Sequence, residues 1–246
     1  MSSRYRTDRL FSHMQWTLFV LLALLGALYF AWWAMARFNF FYPLWYDLIG
    51  IEQTISTYGP QNRYRQHFER TTKDERIRLF AAIVTAIHEQ GKGLETLVYH
   101  DPVGRRLDRL LTAPEIVHLN DVANLVMRLP WLGWGALAGA ALMLGLLIWQ
   151  RRRMPSIKHL LVNILIFIIF MALLMGIIGP ARVFYQLHIW IFPADHPWFF
   201  YYQDSLMTMM MKAPDIFACI TAALLILALL FLLAMLMLTR RFYPVR

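Results

Sequence analysis

The sequence predicts an all-α membrane protein of four transmembrane helices, N-in and C-in, with a mainly helical extracytoplasmic segment between the first two. Three observations carry that expectation. Of the 246 residues, 59% are hydrophobic, against about 45–50% apolar in soluble domains. Four runs nearly free of charge reach the roughly 20 residues that a bilayer-crossing helix needs. Basic residues collect in the short segments beside those runs, and the positive-inside rule places such segments in the cytoplasm.

The spans fall at about 14–36, 129–150, 160–179 and 216–239, within a single membrane domain covering 1–246. Before the first stand Arg4, Arg6 and Arg9. The loop between the second and third carries Arg151, Arg152, Arg153 and Lys158, and Arg240, Arg241 and Arg246 follow the fourth. The net charge of +9 is therefore distributed for topology and calls for no nucleic acid. Exported segments of about 37–128 and 180–214 follow from the same rule. The first span is read as an anchor, not a signal peptide. Its apolar run exceeds a 7–15-residue signal core, and Trp32 and Trp33 are bulky before Ala34-Met35-Ala36.

In the first exported segment, "FNFFYPLWY" from Phe38 to Tyr46 reads as an interfacial aromatic belt. A helix follows from Thr72, a capping residue with Glu75 three positions on. Ile77, Phe80, Ala81, Val84 and Ile87 repeat along one face, Gly91 supplies the stop, and His88 near the end suits the helix dipole. Pro114 fits the first turn of another helix, on which Glu115, His118 and Asp121 stand three residues apart. That spacing puts a carboxylate one turn to either side of the imidazole. Arg63, Arg65, Arg70, Arg76 and Arg78 make the segment basic, a surface for anionic headgroups or an acidic partner if those charges are free.

The second exported segment opens at the helix-breaking Gly179-Pro180. Arg182 and His188 then lie among aromatic and aliphatic residues. Ionisable groups at a membrane face are functional candidates by default. Histidine suits acid–base chemistry because it titrates near neutral pH. A metal held by His118, His188 and Asp121 or His196 has no supporting motif, since no H-E-x-x-H occurs. No metal and no cofactor is expected. Ser205 has no G-x-S-x-G around it. Cys219 is the lone cysteine, so no disulfide within the chain is available, and it reads as a packing residue.

"EIVHLNDVANL" before one span, and "FYQLHIWIFPADHPWFFYYQDSLMTMMMKAPDIF" before another, resemble the lipoprotein intramolecular transacylase (Lit) family of bacterial integral membrane proteins. The matching positions are His118, Asp121, Val122, Phe184, His188, Ile191, Phe192, Trp198, Asp204, Pro214 and Phe217. The resemblance implies a multi-pass protein of the bacterial cytoplasmic (inner) membrane with its active face extracytoplasmic. It implies an acyltransferase that moves the sn-2 acyl chain of a diacylglyceryl lipoprotein to its N-terminal cysteine amine, giving a lyso-form product. The partners implied are that lipoprotein and membrane lipids. His118 and His188 are then the catalytic pair, one as base and one as acid or oxyanion donor, with the assignment open. Asp121, Arg182, Tyr185, Trp198 and Asp204 are supporting or substrate-binding residues, Asp121 orienting His118 through a hydrogen bond. If the two histidines act on one ester, their rings must come within about 10 Å, since each catalytic contact spans roughly 3 Å. The rival expectation is a non-catalytic envelope protein whose basic helical module binds a partner or anionic lipid.

Overall fold

A computed structural model describes residues 2–243, with side chains from residue 11 onward except at Pro180. Arg246 lies outside the described residues, as do the side chains of Arg4, Arg6 and Arg9. The principal helices are α1 (Ser2–Arg37), α2 (Tyr42–Leu48), α3 (Ile51–Tyr58), α4 (Lys73–His88), α5 (Ala113–Val126) and α6 (Leu129–Trp149). They are followed by α7 (Ile157–Ile178), α8 (Pro180–Ile191), α9 (Leu206–Met211) and α10 (Asp215–Phe242). A short antiparallel hairpin, β1 (Val98–His100) and β2 (Arg106–Arg109), interrupts the helical series between α4 and α5. Four stretches of helix, carried by α1, α6, α7 and α10, are long and apolar enough to cross a membrane.

The chain divides into two compact units. The first comprises 1–33, 129–184 and 224–246. Its core is a stripe of α1, Trp16, Phe19, Val20, Ala23, Ala27 and Ala31, recurring every three or four residues. Against it pack Ala140 and Leu147 of α6, Leu160 and Ile164 of α7, and Ala228, Leu232 and Leu236 of α10. The alanines let helix backbones approach closely, the usual device where lipid tails give no hydrophobic drive between helices. Gly26 and Gly133 extend it: a side chain at Gly133 would run into the Tyr29 ring, and one at Gly26 into Leu137. On α7 only Leu160 and Ile164 are buried, while Leu165, Ile166, Phe167, Ile169 and Phe170 stand exposed. A helix apolar all round with so little protein cover is solvated by lipid.

The second unit comprises 34–128 and 185–223. Its centre is α4, whose Leu79, Phe80, Ile83 and Val84 are buried. Thr72 caps the helix by accepting the Glu75 N–H at 3.2 Å. Gly91, at φ +79°, ends it by donating its N–H to the Ala86 carbonyl. His88 Nδ1 donates to the Val84 carbonyl at 2.8 Å. Part of the aromatic run after α1 turns inward: Phe40, Tyr42 and Tyr46 are buried, while Phe38 stays exposed. Tyr42 is buried, stacks on Phe80 with ring centroids 4.0 Å apart, and donates its hydroxyl to the Met210 carbonyl. The left-handed Phe41 starts α2, so Tyr42 and Tyr46, one turn apart, share the face turned to α4.

Five of the basic residues meet carboxylates within the second unit. Arg76 is 1% exposed, and its guanidinium donates to Thr71 Oγ1, the Glu69 carbonyl, the Tyr46 hydroxyl and the Glu52 carboxylate. Arg63 pairs with Asp204 at 3.1 Å, Arg65 with Asp108 at 3.6 Å, Arg70 with Glu69 at 3.5 Å and Arg78 with Glu75 at 2.6 Å. Five arginines that looked like a surface for an anionic partner thus each meet a carboxylate of the same unit. Arg63 and Arg70 nonetheless keep 64% and 67% of their side-chain surface exposed.

Candidate active site

Thr112 and Glu115 set the start of α5 through a reciprocal capping box, with Pro114 in the first turn. Glu115 is fully buried. Its Oε2 accepts from the Thr112 N–H at 2.6 Å and the Thr112 hydroxyl at 2.7 Å. Its Oε1 accepts from the Ser205 hydroxyl at 2.5 Å. Ser205 in turn caps α9, its Oγ accepting the Thr208 N–H at 2.9 Å. Glu115 is therefore a structural clamp between two segments 90 residues apart, not a carboxylate turned toward His118.

One turn along α5 sits His118. Its ring lies 6.3 Å from that of His188, centroid to centroid, with the planes tilted by 31°. Phe192 packs on both, at 5.0 Å from His118 and 5.3 Å from His188. Phe200 lies 6.2 Å from His118, and Trp198 lies 4.7 Å from His188. Tyr185, one turn before His188 on α8, meets Trp198 at 5.3 Å. The histidines thus face each other inside an aromatic wall. The Nδ1 atom of His118 is buried with no hydrogen-bond partner among the described residues. Burial, with the His188 ring adding to it, favours the neutral imidazole there.

Asp121 does not orient His118 by a hydrogen bond. Its Oδ2 lies 2.6 Å from His196 Nδ1, in the loop between α8 and α9. On α5 the Asp121 side chain is three residues past His118, and the chain 75 residues downstream supplies a closer partner than the same helix does. That hydrogen bond, with the charges of Asp121 and Asp195, raises the His196 pKa against the opposing effect of burial. Asp204 is bound to Arg63 at the far end of the same loop. Arg182 lies exposed in the first turn of α8, six residues before His188. The second unit therefore gathers His118, His188, Tyr185 and Trp198 around one point and ties Asp121 and Asp204 to other residues.

Three solved structures are similar to this chain along nearly its whole length. All are in meso structures of the membrane integral lipoprotein intramolecular transacylase Lit from Bacillus cereus. A variant with one histidine changed to arginine superposes at a TM-score of 0.61 with 18% identity, covering 97% of this chain and 96% of that one. A second structure gives 0.60 and 19%, covering 96% and 95%. A histidine-to-alanine variant gives 0.63 and 16%, covering 97% and 96%. The chain has the Lit fold. No protein-family model and no curated protein matches the sequence itself.

Within the Lit fold of this chain, three residues about the site were undervalued by sequence reasoning. Glu115 was placed beside the imidazole, although Thr112-Ala113-Pro114-Glu115 spells a capping box. Ser205, dismissed as a nucleophile, is the cap and clamp partner. His196 was weighed only as a metal ligand. Among the described residues no three His, Cys, Asp or Glu side chains gather in a metal-holding group, and His196 instead pairs with Asp121. No local signal announces that pair, because it joins residues 75 positions apart.

Proposed function

We propose that this chain is a membrane acyltransferase that moves the sn-2 acyl chain of a diacylglyceryl lipoprotein onto the α-amine of its N-terminal cysteine. The observation that carries the reading is the facing pair His118 and His188, 6.3 Å apart within an aromatic wall. The fold shared with a lipoprotein intramolecular transacylase supports it.

The substrate brings its own nucleophile, so the protein needs no reactive serine or cysteine. The amine nitrogen bonds to the ester carbonyl carbon, and the bond from that carbon to the sn-2 oxygen breaks. One proton passes, in net, from nitrogen to the departing oxygen. His118 suits the base, because its surroundings favour the neutral ring and its buried Nδ1 engages no protein group. His188 suits the donor to the oxyanion and leaving oxygen. Two contacts of about 3 Å each, one from either ring, fit the separation observed. Proton transfer of this kind contributes roughly 10²–10⁴-fold, and holding amine and ester together supplies more.

On this reading the active face is extracytoplasmic in a bacterial inner membrane, with both termini and the 151–158 loop inside, an orientation supported by the basic residues flanking the spans. Cells expressing the chain test the proposal. Their lipoproteins should acquire N-acylated, sn-2-deacylated cysteines, seen by tandem mass spectrometry of N-terminal peptides. Unaltered lipoproteins in cells with properly inserted protein would refute it.

A further inference from the structure

The geometry points to a role for the Asp121–His196 pair that the reaction itself does not require: it straps the aromatic segment 196–200 across the two histidines and keeps water from the acyl ester. The inference rests on the acyl-transfer reading above and makes Asp121 and His196 positioning residues that decide which nucleophile wins.

The pair links the two halves of the site. Asp121 stands one turn beyond His118 on α5, and His196 stands two residues before Trp198, whose ring covers His188. The His196 N–H also donates to the Pro193 carbonyl at 3.1 Å, closing a turn that leads into the wall. Phe200, four residues after His196, covers His118. The Asp121–His196 bond thus fastens the near end of the wall to the helix that carries His118. The far end is fastened independently. Arg63 binds Asp204, the Arg63 N–H donates to the Gln203 carbonyl at 2.8 Å, and Ser205 binds Glu115. Cutting the strap therefore loosens 196–200 while the rest of the loop stays anchored.

Chemistry gives the strap its purpose. An ester held beside a base is open to water as well as to the amine. Amine attack gives an isomer of the substrate, with a new C–N bond in place of the C–O bond. Water attack forms a bond from its oxygen to the same carbonyl carbon and breaks the same C–O bond. One water proton then goes to the sn-2 oxygen, releasing a free fatty acid and leaving the amine unacylated. Excluding water from the reacting centre suppresses that side reaction. The strap lies at the rim, where the side chains of His196 and Asp121 are 36% and 15% exposed, between solvent and the aromatic wall.

The test uses the full chain in lipid nanodiscs with an S-(dipalmitoylglyceryl)cysteinyl peptide, measuring N-acyl product against released palmitate. Asp121→Ala and His196→Ala should each raise the palmitate share about tenfold, the scale of one partly exposed charge-assisted hydrogen bond. The double variant should add little to either single one. Asp121→Asn, which keeps an acceptor, should fall between. The exchanged pair, Asp121→His with His196→Asp, should restore the wild-type ratio. Amide hydrogen exchange across 196–200 should quicken by a similar factor in the alanine variants and not in the segment 203–205. An unchanged product ratio with lower total turnover, or unchanged exchange in Asp121→Ala, overturns the strap. A wild-type chain that yields neither product overturns the acyl-transfer reading and the water-exclusion role with it, and the exchange data then still decide whether the tie itself exists.

Discussion

His118 and His188 come from segments 70 positions apart, yet their rings lie 6.3 Å apart with Phe192 against both. A pair of this kind has a kinetic signature. His118→Ala and His188→Ala should each cut N-acylation by about 10²-fold or more. The double variant should be little worse than either single one, because the two act on one transition state. Thermal unfolding and membrane insertion should be nearly unchanged. Product appearance followed by tandem mass spectrometry, beside a melting curve, checks both halves. Cys219→Ala should retain the activity, since in the proposed reaction the substrate amine is the nucleophile.

The Asp121–His196 tie predicts a pH dependence. The hydrogen bond to Asp121 raises the His196 pKa above the ordinary value of about 6.5. For a raised histidine, the stabilisation is fully present below the unfolded value and is lost as pH rises through the folded one. The palmitate share should therefore climb on the alkaline side of about 6.5. The same titration in Asp121→Ala should be flat and high. A ratio independent of pH in the wild type would contradict the assignment.

Gly133 and Gly26 predict where the helix packing of the first unit is least tolerant. Gly133→Val would drive its side chain into the Tyr29 ring. Overpacking of this kind costs about 1–3 kcal/mol. The melting temperature in detergent should fall accordingly. Gly135→Val, a change at a neighbouring glycine with open space around it, should have much less effect.

What the sequence made legible was whatever needs only local information. The four apolar runs match α1, α6, α7 and α10, with Gln150 and Gly179 just past the helix ends, because length and hydropathy alone specify a bilayer-crossing helix. Thr72 and Gly91 mark the ends of α4 because caps are written in adjacent residues. The hairpin was missed because strands of three and four residues are too short to display a period. Tyr42 and Tyr46 were misplaced at an interface because composition does not say which way an aromatic faces, and here Phe80 and Arg76 draw them inward. The pairings of Asp121 with His196, Glu115 with Ser205 and Arg63 with Asp204 were hidden for one reason. Hydrogen bonds and ion pairs across 75, 90 or 141 positions are products of the tertiary fold.

The orientation of the four helices is open to direct test. A reporter fused after Arg153 should read as cytoplasmic and one inserted at His100, in the hairpin of the second unit, as extracytoplasmic. The opposite pattern would put the two histidines on the wrong face for a lipoprotein substrate.

The most direct measurement follows from the atom balance. Intramolecular transfer leaves the mass of the substrate unchanged and only relocates the acyl chain. Purified protein would be given a mixture of two lipopeptides, one with a deuterated sn-2 chain and the other with an isotopically heavy peptide. The account predicts no change in either intact mass, fragment ions that place each acyl chain on the amine of its own molecule, and no exchange of label between them. It also predicts that the double variant His118→Ala with His188→Ala forms such product about 10²-fold or more slowly than the wild type. N-acylation at the wild-type rate by that double variant, or none by the wild type, would contradict it.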